Sequence, residues 1–272
     1  MTRVAVIGGG QIGQALIVGL LESGWPRGDV IVVGRAPDRV TVLGQRLGVR
    51  ATTDTAEAVR TSDLIVIAVK PNDIDGALCG LGTAELGAQH DRVLISLAAG
   101  VSTAQLERQL PAAAPVVRAM PNTPMLVRQS ITAIAAGRHV SSEQLGLVCR
   151  MLSTVGEVVI VDETQMDAVT AVSGSGPAYF FAIAEAMVEA AVQLGLPQPV
   201  AVESVTQTML GSAVLLQSSG QPASELRAAV TSPAGTTAAA LRELERKGLR
   251  SVFHEALAAA QRRAMEYGTN TA

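Results

Sequence analysis

A short apolar run, Val4–Ile7, ends directly in Gly8-Gly9-Gly10-Gln11-Ile12-Gly13, and a helical pattern begins there. That succession constrains the fold more than anything else in the chain. A strand, a G-x-G-x-x-G turn and a helix open a βαβ unit of the kind that binds a dinucleotide. Gly8 permits the tight turn, Gly10 lets a pyrophosphate approach the backbone, and Gly13 lets helix and strand pack closely. The helix start at Gln11 and Ile12 offers N–H groups and a positive dipole end to phosphates. With 26 glycines in the chain, the position of the motif gives it weight, not its letters.

The chain continues in the same manner for its first half. Apolar runs at Val30–Val33, Leu64–Val69, Val93–Leu97 and Val116–Ala119 alternate with helical patterns such as Gln11–Ser23 and Thr103–Leu110. Continuously apolar strands belong to a parallel sheet covered on both faces. The alternation predicts a doubly wound α/β fold. Two more strands are expected at Ile131–Ala135 and Glu157–Val161. Beyond Asp162 only helices are expected: Ala178–Leu194, Gln198–Gln217, one ending at Lys247, and Leu249–Tyr267. The reading is therefore a dinucleotide-binding domain at 1–162 and an all-helical domain at 163–272.

The helical half is thinly charged between Thr164 and Leu215. A helix apolar nearly all round needs cover on all sides, so the chain is expected to form a homo-oligomer, a dimer at least, through this half. Ala178–Leu194 contains Glu185 and Glu189 and reads as a buried helix, not a membrane span. A net charge of -3 and no basic stripe argue against nucleic acid as a partner. Cys79 and Cys149 have no metal-type spacing, which predicts no metal and a reduced, cytoplasmic protein. Met1-Thr2-Arg3 leads straight into the first strand and leaves no room for a signal peptide.

The tip of the second strand bears on cofactor choice. An NAD site usually carries an acid there, on the ribose hydroxyls. Here the tip is Gly34-Arg35, and a guanidinium suits a 2′-phosphate. NADPH is expected, with NADH as the alternative. Ala68-Val69-Lys70-Pro71 sits at the carboxyl end of a strand, where open α/β sheets take ligands. Lys70 is one of only two lysines. Ala98 lies in the small-residue exit of the next strand, and Asn122 in the stiff loop Met120-Pro121-Asn122-Thr123-Pro124.

Alcohol oxidation needs a base, often His or Lys. His90, His139 and His254 lie in no glycine-rich motif and read as surface or helix residues; Lys247 sits in a charged run. Imine reduction has no such need, because hydride added to a protonated imine gives the amine directly. Two hydroxyl-rich segments offer hydrogen bonds instead: Ser173-Gly174-Ser175-Gly176-Pro177 and Thr231-Ser232-Pro233-Ala234-Gly235-Thr236-Thr237. Ser232 and Pro233 read as an N-cap and first-turn pair, with free N–H groups near Gly235, Thr236 and Thr237 for a carboxylate.

In order and spacing, Ala68–Pro71, Met120–Pro124, Ser173–Tyr179 and Ser232–Thr237 resemble the pyrroline-5-carboxylate reductases, over essentially the whole chain. The resemblance implies an N-terminal Rossmann domain and C-terminal helices that interleave in a dimer, with dimers often assembling into a decamer. The active site would lie between one subunit's Rossmann domain and the interleaved helices. The implied reaction is reduction of L-1-pyrroline-5-carboxylate to L-proline. By motif position Thr237 would hydrogen-bond the ring nitrogen, and Ser232 with the N–H groups of Gly235 and Thr236 would hold the carboxylate. Gln11, Ile12, Ala68, Lys70, Ala98 and Asn122 would line the cofactor. Two positions depart from the family: Thr55 stands where many members have Asn, and Ala234 where glycine is common. Two other readings are a β-hydroxyacid dehydrogenase, which the lack of lysine between Ala178 and Leu194 disfavours, and a non-catalytic NADP-binding protein.

Overall fold

The computed structural model describes residues 2–81 and 92–270, so His90 and Met1 lie outside the described residues. The first part alternates strand and helix. Its elements are β1 (Val4–Ile7), α1 (Gln11–Glu22), β2 (Val30–Val33), α2 (Pro37–Leu47), β3 (Arg50–Thr52), α3 (Thr55–Arg60), β4 (Leu64–Ile67) and α4 (Ile74–Cys79). There follow β5 (Val93–Ser96), α5 (Thr103–Gln109), β6 (Val116–Met120), β7 (Ser130–Ala136), α6 (Ser142–Leu152), β8 (Gly156–Ile160) and α7 (Met166–Val169). The remainder is helical: α8 (Gly176–Gln193), α9 (Gln198–Ser219), α10 (Ala223–Ala229), α11 (Thr236–Arg246) and α12 (Leu249–Asn270).

One sheet of eight strands runs in the order β3-β2-β1-β4-β5-β6-β7-β8. It is parallel from β3 to β6, as the apolar runs predict; β7 then pairs antiparallel with β6, and β8 parallel with β7. The reversal follows from connection length, since only residues 121–129 separate β6 from β7, too few for a parallel crossover. Alternate residues of β1, β2, β4, β5 and β6 feed two separate cores. Val4, Val6, Val30, Val32, Leu64 and Val66 pack with Leu16, Ile17 and Leu20 of α1 and Met151 and Leu152 of α6. Ala5, Ile7, Ile31, Val33, Ile65 and Ile67 pack with Val59, Ile74 and Leu106 on the other side. Each such fully buried aliphatic side chain contributes roughly 1.5–3 kcal/mol. Helix ends are set locally: Ser102 with Gln105, and Ser141 with Gln144, form capping boxes at α5 and α6. Gly48 closes α2 in the left-handed conformation, φ 67°.

Arg118 interrupts the apolar run of β6 and is nevertheless only 5% exposed. Its guanidinium pairs with Glu163 at 2.6 Å and Asp167 at 3.5 Å, and Thr103 Oγ1 donates to the second Glu163 oxygen at 3.0 Å. Met166 is buried with Ala133 and Ala135. The segment after β8 is thus tied to the sheet by a charge cluster and an apolar contact.

The chain divides into two compact units, residues 1–175 with 259–272, and residues 176–258. Within the second unit α8 packs on α9. The helix expected at Ala178–Leu194 forms as α8; within the single chain only its Gly176 is buried, and Phe180 and Phe181 are 61% and 68% exposed. Helix α9 buries only Ala201 and Val205 and exposes Leu210, Val214 and Leu215. It is 22 residues long, and an 18-residue window within it reaches a mean hydropathy of 1.2, enough by length and composition to cross a membrane. The apolar character read from the sequence is real; its cover does not come from this unit. An open groove of about 410 Å³ lies among α10, α11 and α12, lined by Leu241, Leu244, Phe253 and Leu257, apart from the candidate residues below.

Candidate active site

The turn between β1 and α1 is shaped by contacts only glycine allows. Gly8 has φ 113°, and a Cβ there would lie 2.4 Å from the Ala68 carbonyl oxygen. Its N–H donates to the Val33 carbonyl at 2.9 Å. A Cβ on Gly13 would meet the Gly8 carbonyl oxygen at 2.1 Å and the Ala68 methyl at 3.3 Å. At Gly10, by contrast, nothing lies within 4 Å of the Cβ position. Gly10 is the N-cap of α1 and supplies no side-chain cap, so the N–H groups of Gln11, Ile12 and Gly13 lack intrahelical partners. An open backbone cradle beneath free N–H groups at a helix start is what a phosphate requires. Gln14 braces the turn: its Nε2 donates to the Gly9 carbonyl at 2.6 Å, while Arg46 donates to its Oε1.

Other sequence-selected residues gather along the same carboxyl edge. Ala68 and Val69 leave β4 against Gly8 and are half-buried; Lys70 is exposed. Ala98 follows β5, is buried, and its N–H donates to Ser96 Oγ at 3.3 Å. Arg35 follows β2, and its Nη1 donates to Asp73 Oδ1 at 2.9 Å. Thr55 opens α3 at the exit of β3, beneath the Asp54 N-cap. Asn122 has its amide committed inside the unit. Its Oδ1 accepts from Ser130 Oγ at 3.0 Å and from the Ile131 N–H at 3.2 Å, and its Nδ2 donates to the Ser173 carbonyl at 3.1 Å. The amide thereby pins the loop after β6 to β7 and to a π-helical turn at Thr170–Gly174.

The second unit carries the Ser232–Thr237 segment. The expected N-cap and first-turn pair at Ser232 and Pro233 is corrected, because α11 starts at Thr236 with Gly235 as N-cap. Ser232–Gly235 instead form a turn closed by the Gly235 N–H on the Ser232 carbonyl at 3.1 Å. Pro at the second place and a left-handed residue at the third, Ala234 with φ 58°, make the type II pattern. That pattern explains why glycine suits position 234. A Cβ on Gly235 would lie 2.4 Å from Ser232 Oγ, so glycine there makes room for the hydroxyl. Since the Gly235 N–H is used in the turn, the donors left free at the start of α11 are those of Thr236, Thr237 and Ala238. Ser232 and Thr236 are exposed and Thr237 is half-buried.

His139 and His254 are exposed. Cys79 and Cys149 are free, and among the described residues no group of three or more His, Cys, Asp or Glu is placed to hold a metal ion. Sequence reasoning passed over Asp73, Gln14 and Arg46. None belongs to the fingerprint, and their partners lie on other elements, so only the folded chain reveals them.

Comparison with known proteins follows the same division. Residues 163–267 match a family described as pyrroline-5-carboxylate reductase dimerisation, and residues 3–100 one described as NADP oxidoreductase, coenzyme F420-dependent. Over 97% of this chain and 96% of the relative, the identity to pyrroline-5-carboxylate reductase of Mycobacterium tuberculosis is 47%. A solved pyrroline-5-carboxylate reductase from Coxiella burnetii is similar with a TM-score of 0.93 and 38% identity, covering 98% of both chains. The Plasmodium falciparum pyrroline carboxylate reductase, solved with NADP bound, gives a TM-score of 0.86 and 28% identity, again over 98% of each chain.

Proposed function

The chain belongs to the pyrroline-5-carboxylate reductase family, and from that premise we infer that it reduces L-1-pyrroline-5-carboxylate to L-proline, the last step of proline biosynthesis, with a reduced nicotinamide cofactor. The observation that carries this reading is that the similarity spans both the glycine turn and the hydroxyl-rich helical segment. Residues 1–162 serve as the cofactor-binding domain and 163–272 as the dimerisation and substrate domain.

The residues present fit the cofactor. Gly10 is open, and the N–H groups of Gln11, Ile12 and Gly13 point out of the start of α1. Gly8 and Gly13 hold the turn against Ala68 and Val69, and Ala98 and the Asn122 loop continue the edge. When bound, the reduced nicotinamide supplies the hydride that the imine carbon accepts. Arg35 and the absence of an acid at the tip of β2 support NADPH as the preferred form over NADH. Lys70, exposed beside that edge, supplies a further positive charge for the phosphates.

On the substrate side Ser232 Oγ and the N–H of Thr236 bind the ring carboxylate at the positive end of α11, with Gly235 providing the room. The Thr237 hydroxyl hydrogen-bonds the ring nitrogen and orients the C=N bond. The protonated imine is already electrophilic, so the chain's task is orientation and no dedicated base is needed.

A second copy of the chain covers the exposed faces of α8 and α9, giving a dimer as the working minimum and a decamer as the fuller assembly. The match of residues 163–267 to a dimerisation family supports protein, and not lipid, as the cover for α9. The two free cysteines suit the reducing cytoplasm. The test is nicotinamide oxidation at neutral pH with pyrroline-5-carboxylate, NADPH and NADH in parallel. Substrate-dependent turnover, faster with NADPH at limiting cofactor, is expected. Cofactor binding without turnover would replace the reductase with a binding protein.

A further inference from the structure

The loops on either side of the glycine turn are joined by an ion pair that the fingerprint does not contain. In the sheet β1 lies between β2 and β4. Arg35 follows β2 and Asp73 follows β4, and their side chains meet at 2.9 Å. The pair therefore links the two loops that flank the exit of β1, at the edge where open α/β sheets take ligands. Asp73 is the fixed half. It ends the short turn Pro71–Asp73, and its N–H donates to the Lys70 carbonyl at 2.9 Å. Arg35 is the movable half, a long side chain 88% exposed. Lys70, in the same turn, makes no ion pair among the described residues and does not neutralise Asp73.

An NAD site places an acid at the tip of β2 to accept the ribose hydroxyls. This chain has no acid on that tip, yet one reaches it from the neighbouring loop. We propose that Asp73 determines cofactor specificity by competing with the 2′-phosphate for Arg35 and by accepting the ribose hydroxyl when that phosphate is missing. The proposal rests on the reading of Arg35 as the 2′-phosphate ligand. A phosphate carries more charge than a carboxylate and takes a guanidinium in a fork of two hydrogen bonds, so it displaces Asp73 on binding. The displaced carboxylate then faces a like charge. Without the phosphate, Arg35 stays on Asp73, whose second oxygen is left for the hydroxyl. An exposed pair is weak, so the competition tunes preference and does not block the site.

The experiment is calorimetric binding of 2′,5′-ADP and of 5′-AMP to the full chain, as wild type, Asp73→Asn, Arg35→Ala and the double variant. Both residues are at the surface, and circular dichroism checks that each variant folds. Asp73→Asn is expected to tighten 2′,5′-ADP about fivefold and to weaken 5′-AMP about twofold, a size set by the weakness of exposed pairs. In the Arg35→Ala background the effect on 2′,5′-ADP should shrink to less than about twofold, since the contested partner is gone. An unchanged ratio of the two affinities in Asp73→Asn, with Arg35→Ala still losing 2′,5′-ADP, overturns the competition and leaves the Arg35 reading intact. An undiminished Asp73→Asn effect in the double variant means simple charge repulsion and also overturns it. If Arg35→Ala leaves the ratio untouched, the reading of Arg35 itself fails.

Discussion

The sheet unit and the helical unit are both rich in aliphatic residues, but they spend them differently. Every residue of β1, β2, β4 and β5 is buried, and each strand feeds a core on either side. Helices α8 and α9 also carry many aliphatic residues but bury, between them, only Gly176, Ala201 and Val205. The central strands of the first unit find their apolar cover within it. The second carries a pattern that a single chain leaves open, so its composition speaks about assembly as much as about fold.

Breaking that contrast should be easiest at the open face. Phe181→Glu sets a charge in the middle of it and is expected to weaken association at least about 1,000-fold, because burying an unpaired charge costs several kcal/mol. Light scattering at micromolar protein would then report single chains where the wild type gives multiples. The same substitution should leave 2′,5′-ADP binding, a property of the sheet unit, within about twofold. Next in size is Thr237→Ala, expected to lower turnover about 100-fold, as loss of one positioned hydrogen-bond donor does elsewhere. NADPH affinity, followed by fluorescence, should stay nearly constant; equal loss of both would make Thr237 a structural residue. In the sheet unit, Arg118→Met strips Glu163 and Asp167 of their partner. A buried pair broken from one side costs about 3–5 kcal/mol, and because both acids remain about 30% exposed, about 2 kcal/mol is expected from urea unfolding. The smallest effect is Ala234→Gly. Relief of the left-handed alanine, offset by the freedom of glycine, should add no more than about 1 kcal/mol, with a looser carboxylate turn seen as a higher KM.

The legible parts of the fold were those whose residues answer to a single local demand. Strands buried on both faces must be apolar throughout, so β1, β2, β4 and β5 stand out as runs of Val and Ile. Strand β3, Arg50–Thr52, is short and largely exposed, makes no such demand and passes unread. The turn of β7 against the parallel strands follows from the shortness of the connection, the nine residues 121–129. Within the candidate site the glycines declare themselves, because only their backbone fits. Arg118, Asp73 and Gln14 do not, since each takes its meaning from a residue elsewhere in the sequence, Glu163, Arg35 and Arg46 respectively. Ser232-Pro233 mimics a helix start in sequence, and only the left-handed Ala234 reveals the extra turn.

The open face of α8 and α9 also governs the first moments of the chain's life. No charged residue occurs from Ser204 to Ser224, so nothing along that length discourages a wrong neighbour. A freshly synthesised subunit enters a race between meeting its own kind and sticking to any other exposed apolar surface. Pairing is second order, so its chance of winning rises with the local supply of sister chains. Slow, sparse expression should therefore yield proportionally more aggregate than brisk co-synthesis, the reverse of what is usual for a self-sufficient domain.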